Sequence, residues 1–351
     1  MRFIEGGPSI PDELLTARDE GRVVIFCGAG VSRAKAGIPD FISLAEAVAD
    51  SLGVSSADPI RAVLKEISTL GQRTGVNGLI SADVVFDRLE QSFERSDIDR
   101  AVAEALMPND GVDLSAHQML IDLARTPSGN VRVVTSNFER LFEACAPDLT
   151  VYTPLNLPDV SRVDDFNGIV HNHGIVNELY TDAAGDGFIL SSSEFGKAYL
   201  ADGWATKFIR SILAKYVVLF IGYAADDPPV KYLLQGINRL GNNKNTLYAF
   251  HAGTAGEADA SWSTKGVEAI AYNPDDHHHF LWETIEAWRN RAIDIDGWYE
   301  QQFKLADQGP EKLSRHQRGK IAHIVSTRIG AKKLAQREMP IPATWLCVFD
   351  S

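Results

Sequence analysis

Apolar residues fall along this chain in two alternating patterns. The runs Val23–Cys27 and Tyr216–Ile221 are unbroken, short and rich in β-branched residues, and they read as strands buried on both faces. Further strands are expected at 131–135, near 150–153, at 167–171, 187–190, 246–250 and 267–271. Between them apolar positions recur at helical spacing. Leu44, Val48 and Leu52 follow Ser43-x-x-Glu46, which reads as a capping box, and Val85, Phe86, Leu89 and Phe93 share one face. Helices are expected at 10–20 (opened by Ser9-x-x-Asp12), 59–69, 83–93, 114–125, 138–144, 193–200, 204–214, 279–289 and 314–326, with a flexible break over Gly71–Gly78.

Strands that alternate with helices imply an α/β fold, a Rossmann-like doubly wound parallel sheet. Residues 1–290 read as one such unit, with 43–126 as a helical insertion after the first strand. Residues 291–351 read as a C-terminal extension. Trp345–Phe349 looks like a strand in need of a partner, so the tail either packs back on the sheet or begins a further domain of a longer protein.

Ligands in such sheets bind beyond the strand C-termini, and the most informative stretch lies there. After Val23–Cys27 the chain reads Gly28-Ala-Gly-Val-Ser-Arg-Ala-Lys-Ala-Gly-Ile-Pro-Asp-Phe41. A strand ending in Gly-x-Gly before a helix presents backbone N–H groups to a phosphate; Gly28 and Gly30, lacking a Cβ, allow close approach of a pyrophosphate, with Ala29 between them as a further cofactor contact. Ser32 adds a hydroxyl donor. The same two glycines would also serve a plain tight turn, and the third glycine of the dinucleotide fingerprint is absent.

Composition narrows the picture. The 351 residues carry a net charge of −13, which argues against non-specific nucleic-acid binding. There is no apolar run long enough for a membrane helix and no signal-peptide h-region at the N-terminus. Cys27, Cys145 and Cys347 lie far apart, so neither a disulfide framework nor a zinc knuckle is suggested, and a cytoplasmic location is expected.

Residues 28–41 resemble the cofactor-binding motif of the sirtuin family. Thr135-Ser-Asn-Phe-Glu139 is similar to that family's Thr-Gln-Asn-Ile-Asp segment, His173-Gly174 to its His-Gly, and Phe220-Ile-Gly-Tyr-Ala224 to its late nucleotide loop, all in the family's order. The resemblance implies NAD+ as substrate, Asn137 and His173 as catalytic residues, and Phe41 as a cover for the nicotinamide ring. It further implies cofactor contacts from Asp40, Ser136, Glu139, Gly222, Tyr223 and Asp227. Glu139 stands in place of an Asp, Ser136 of a Gln, Ile42 of an Arg and Ala224 of a Ser.

Sirtuin deacetylases carry a four-cysteine zinc module beyond the His-Gly; here 175–187 hold no cysteine, and no zinc is expected. The trimmed form, the insertion at 43–126 and the acidic Gly222–Asp227 loop resemble the sirtuin-like NADases of bacterial antiviral defence. That implies an NAD+ glycohydrolase releasing nicotinamide and ADP-ribose or its cyclic form, regulated as a homo-oligomer or by a partner. Rival readings are a protein deacylase and a non-enzymatic NAD+ or ADP-ribose sensor.

The residues leave other readings open. Asn137 also suits a helix N-cap. His171 and His173 are expected to face opposite ways, with His173 favoured by the glycine that follows and expected to titrate near neutrality. His117 reads as a packed or capping histidine. Asp226 and Asp227 suit a ribose, a cation or a plain turn, and His277–His279 a solvated helix start rather than a metal site.

Overall fold

The computed structural model describes residues 1–74, 80–160, 162, 165–185, 187–225, 227, 230–232, 234 and 247–349. Among them seven strands form one parallel sheet: β1 (Val23–Cys27), β2 (Arg132–Thr135), β3 (Thr150–Tyr152), β4 (Gly168–His171), β7 (Val217–Ile221), β8 (Leu247–Ala252) and β9 (Val267–Tyr272). Their order is β3-β4-β2-β1-β7-β8-β9. Two short strands, β5 (Ile175–Val176) and β6 (Ala183–Ala184), pair separately as an antiparallel ribbon.

The central strands are buried along their whole length, and the pleat sends alternate residues to two cores. Ile25, Val133, Ile169 and Leu219 face one side, with α1 (Asp12–Asp19), α7 (Ser115–Ala124) and the helix His279–Ile293. Phe26, Val134, Val170 and Phe220 face the other, with α10 (Trp204–Leu213) and Trp262 of the helix Ala255–Trp262. The doubly wound reading therefore holds.

Between β1 and β2 the chain is helical: α2 (Ala29–Ala36), α3 (Phe41–Ser51), α4 (Pro59–Thr74), α5 (Asp83–Leu89), α6 (Arg95–Ala105) and then α7. Helices α3 to α6 pack into a third core around Leu44, Val48, Phe86 and Val102. Phe138, Val176 and Phe188, from segments that follow β2 and β4, complete it.

Several local expectations are corrected. Helix α3 begins earlier than Ser43: Asp40 is its N-cap and accepts from the Ser43 N–H at 2.9 Å. Helix α1 is capped by Pro11 without a side-chain hydrogen bond from Ser9. Helix α4 runs on to Thr74, and the rest of the expected break, 75–78, lies outside the described residues. The 187–190 stretch is not a strand; Ile189 N–H bonds the His173 carbonyl instead of a sheet neighbour.

Trp345–Phe349 is helical rather than extended, with Ala343–Trp345 as a 3-10 turn after Pro342. A short apolar run carries no periodicity to separate helix from strand, and a proline just ahead favours a helix start. The tail packs through Trp298, Tyr299, Phe303 and Ile324 on the main core, while Trp345 is buried with Leu313 and Ile321 and donates to the Ala306 carbonyl at 2.8 Å.

Candidate active site

Register decides which residues meet. Cys27 lies opposite Thr135 on one side and Ile221 on the other, and Thr135 lies opposite His171. Four strands thus end in one row, and the residues just past that row rise side by side: Gly28, Ser136–Asn137, Asn172–His173 and Gly222–Tyr223. The β1/β7 boundary is also where the chain reverses its direction of travel across the sheet, the usual crevice of such folds.

A cavity of about 960 Å³ opens there. It is large for a cofactor site, which typically spans roughly 300–1,000 Å³. Asn137, Glu139, His173 and Ser136 line it, together with Ala29, Gly30, Ser32, Asp40 and Phe41 from the first loop and Gly222, Tyr223 and Asp227 from the loop after β7. Phe250, His278 and Trp282 extend it past β8 towards the helix His279–Ile293.

The loop glycines act differently from expectation. The Gly28 N–H bonds the Ile221 carbonyl and the Gly30 N–H the Gly222 carbonyl, each at 2.9 Å. A Cβ on Gly28 would stand 2.6 Å from the Gly222 oxygen, and one on Gly222 (φ +75) 2.6 Å from the Val31 nitrogen. These glycines let two loops interlock, and the two N–H groups expected to face a phosphate already have carbonyl partners. Tyr223 pins the same junction, donating towards the Cys27 carbonyl at 3.0 Å and Ser136 Oγ at 2.9 Å.

Behind the loop lies a buried polar network. The Asn137 amide nitrogen reaches the Gly28 carbonyl (3.2 Å), Ser32 Oγ (3.1 Å) and Glu139 Oε1 (3.0 Å). Ser32 donates to the Glu139 carboxylate. A hydroxyl with its one proton so used can only accept from its other neighbours. His117 Nε2, 3.0 Å from Ser32 Oγ, therefore carries a proton, and burial lowers this imidazole to about 4, so it is neutral. Burial also raises the Glu139 carboxyl, against the Ser32 and Asn137 hydrogen bonds that lower it. His117 is thus part of the site, a role the sequence hid because it sits on the apolar face of α7. Asn137 is not a helix cap: α8 (Leu141–Cys145) follows an Arg140 N-cap, and the Asn137 side chain donates rather than accepts.

His171 and His173 do face apart. Strand alternation would have put i and i+2 on one face; the separation arises because the chain leaves β4 at His171 and turns. His171 bonds the Asn137 carbonyl at 2.9 Å through Nδ1 and Glu143 of α8 at 2.7 Å through Nε2. Burial opposes its charge, but Glu143 outweighs that and raises its pKa, while His171 in turn holds Glu143 low against burial. His173 packs edge-on against Phe195 of α9 (Ser192–Gly196). The Asn172 amide donates to the Tyr199 hydroxyl at 2.8 Å, which leaves that hydroxyl's proton for His173 Nε2, also at 2.8 Å. Tyr199 belongs to a π-helical turn, Lys197–Ala201. Burial pushes His173 down to about 3, so it is neutral and does not titrate near neutrality as the sequence suggested. Neither Tyr199 nor Asn172 carried a signal in the sequence.

The remaining expected contacts have structural duties as well. Asp40 caps α3 and pairs with Arg33. Phe41 packs on Phe86, ring centroids 5.3 Å apart. Asp227 accepts from the Ala224 N–H at 2.7 Å and braces its own loop; Asp226 lies outside the described residues. His278 bonds Tyr272 at 3.0 Å while His279 pairs with Asp275 and Glu283, so these two histidines do not share a ligand position.

Comparison with known proteins gives three findings. Residues 131–270, from β2 to β9, match the model of the SIR2-like domain; the first glycine loop lies outside that match. The uncharacterized protein y4cA of Sinorhizobium fredii (strain NBRC 101917 / NGR234) is 28% identical over 329 residues, 88% of this chain and 26% of the relative, so the chain spans about a quarter of that relative's length. A crystal structure of a Sir2 homolog–NAD complex aligns with 82% of this chain and 96% of its own, at 14% identity and a TM-score of 0.38.

Proposed function

We propose that the chain is an NAD+ glycohydrolase, cleaving NAD+ to nicotinamide and ADP-ribose. The observation that carries this reading is the gathering of Asn137, Glu139, Ser32 and His173 around one cavity at the ends of β1, β2, β4 and β7. The SIR2-like match over 131–270 supports NAD+ as the ligand.

The chemistry asks little of the protein. Nicotinamide leaves NAD+ as a neutral ring from a cationic pyridinium, so no acid is required, and the ribose passes through an oxocarbenium-like state. Asn137 holds a ribose hydroxyl or the attacking water through its amide. His173, neutral in the resting chain, accepts a proton at Nε2 once the Tyr199 hydroxyl has turned away. Glu139 takes the nicotinamide carboxamide, and Phe41 covers the ring. The pyrophosphate lies along Ala29 and Gly30, which requires the Gly30–Gly222 hydrogen bond to part. Water or ring closure resolves the intermediate, giving linear or cyclic ADP-ribose.

The closed loops and the engaged Nε2 suit a resting state of an activity that depletes NAD+ and must be controlled. We assign it to a cytoplasmic antiviral effector that works as a homo-oligomer or with a partner. Hydrolysis is favoured over deacylation because 175–187 lack the cysteines of a zinc module that would help form a peptide cleft.

The test is to incubate the full chain with NAD+ and follow nicotinamide. Release is expected without any acylated peptide, with a loss of about 10²–10³-fold in Asn137→Ala and about 10²–10⁴-fold in His173→Ala. Release that depends on an acylated peptide would assign a deacylase instead, and NAD+ binding without turnover under every activating condition a sensor.

A further inference from the structure

A second recess lies between the N-terminal segment and the helix Arg315–Ser326. It has a volume of about 490 Å³, within the span of small-molecule sites. Arg2, Arg315 and Lys320 line it, with His316 and His323 beside them and Glu5 as the one carboxylate on its wall. Among the described residues none of those three cations has a carboxylate within ion-pair distance. Lys320 reaches the Phe3 carbonyl at 3.4 Å, which His316 Nε2 also approaches, at 3.3 Å. Burial lowers the Lys320 ammonium, the sign of a cation short of compensating charge.

This convergence stands out in a chain of net charge −13. The recess also lies over the first turns of a twelve-residue helix, whose dipole end is positive there, and Gly319 leaves the wall without a side chain. We propose that the recess binds a polyphosphate-bearing small molecule of nucleotide size, held by Arg2, Arg315 and Lys320. A nucleic-acid backbone suits it less, because the net charge of −13 disfavours a long polyanion, whereas a compact ligand needs only the local cations.

The site also has a physical link to the catalytic cavity. Gly6 lines the recess, and a Cβ there would stand 2.8 Å from the Phe280 ring; a Cβ on Gly7 would stand 2.5 Å from Thr284 Oγ1. Phe280 and Thr284 lie on the helix whose Leu281 and Trp282 line the large cavity. The N-terminal turn that lines the recess thus packs directly against the back of that helix.

Calorimetric titration of the full chain with inorganic triphosphate and, separately, with ATP tests this. Saturable binding is expected, weakened at least about tenfold in Arg315→Ala/Lys320→Ala and, as a variant confined to exposed side chains, in Arg2→Ala/Arg315→Ala. Asn137→Ala is expected to bind as the wild type does. Equal affinity for both probes means that the recess reads only the phosphate chain, and tighter ATP means that it reads the nucleoside too; both support the site. No saturable binding of either probe, binding unchanged in both double variants, or binding lost in Asn137→Ala would overturn it, and none of these bears on NAD+ cleavage.

Discussion

At the scale of single residues, the site is ordered by buried groups whose charge states are set by neighbours. His171 and Glu143 form a buried pair, and their shifts define a pH window. His171 is raised from its ordinary 6.5, so its contribution to stability is complete below that value and lost as pH rises through the folded pKa. Glu143 is lowered from 4.5, so its contribution is complete above that value and lost as pH falls through the folded pKa. The penalty of Glu143→Gln should therefore be greatest between about pH 4.5 and 6.5, reaching about 3–5 kcal/mol if the imidazolium is left unpaired. Urea midpoints of both proteins across pH read this directly; a penalty independent of pH would refute the ion pair. His173 behaves oppositely. Held near 3 by burial, it should give kcat/KM no inflection near 6.5, because that parameter reports the free enzyme. Sequence disclosed Asn137, Glu139 and His173 through motif order. It concealed His117, Asn172 and Tyr199, since a polar side chain that bonds only across the fold leaves no local pattern.

At the scale of elements, the strands and most helices are legible where β-branched residues mark a short run or helical spacing extends over several turns. The differences have two causes, a nearby competitor for the same role and a deciding contact far along the chain. Ser43 has the pattern of a cap, but Asp40 caps α3 three residues earlier and accepts from the Ser43 N–H itself. Residues 187–190 have strand composition, but the Ile189 N–H bonds the His173 carbonyl in the loop after β4 rather than a sheet strand. The glycine loops show the second cause: their sequence suits a ligand, and the two loops face each other. Gly222→Ala should cost about 1–2 kcal/mol from its left-handed backbone alone, and more from the contact with Val31. Denaturant unfolding measures it, and a neutral result would contradict the interlocked loops. Phe86→Ala, which empties the centre of the α3–α6 core beneath Phe41, should cost about 3–5 kcal/mol and raise the KM for NAD+.

At the scale of the whole molecule, a parallel sheet delivers four strand ends to one crevice, and the helical segment before β2 walls one side of it. That much follows from alternating strands and helices. The path of the tail does not, because an apolar run near Trp345 finds its partners more than thirty residues earlier, at Ala306 and Leu313. Trp345→Ala should cost about 3–5 kcal/mol and speed amide exchange in 306–349 while the sheet stays protected.

A crystal structure of the chain grown with NAD+ tests the central claim most directly. The nicotinamide riboside is expected between Asn137 and His173, with the Gly30 and Gly222 loops drawn apart around the pyrophosphate and Tyr199 turned from the imidazole. Dinucleotide bound elsewhere, or this cavity empty at saturating NAD+, would contradict the account.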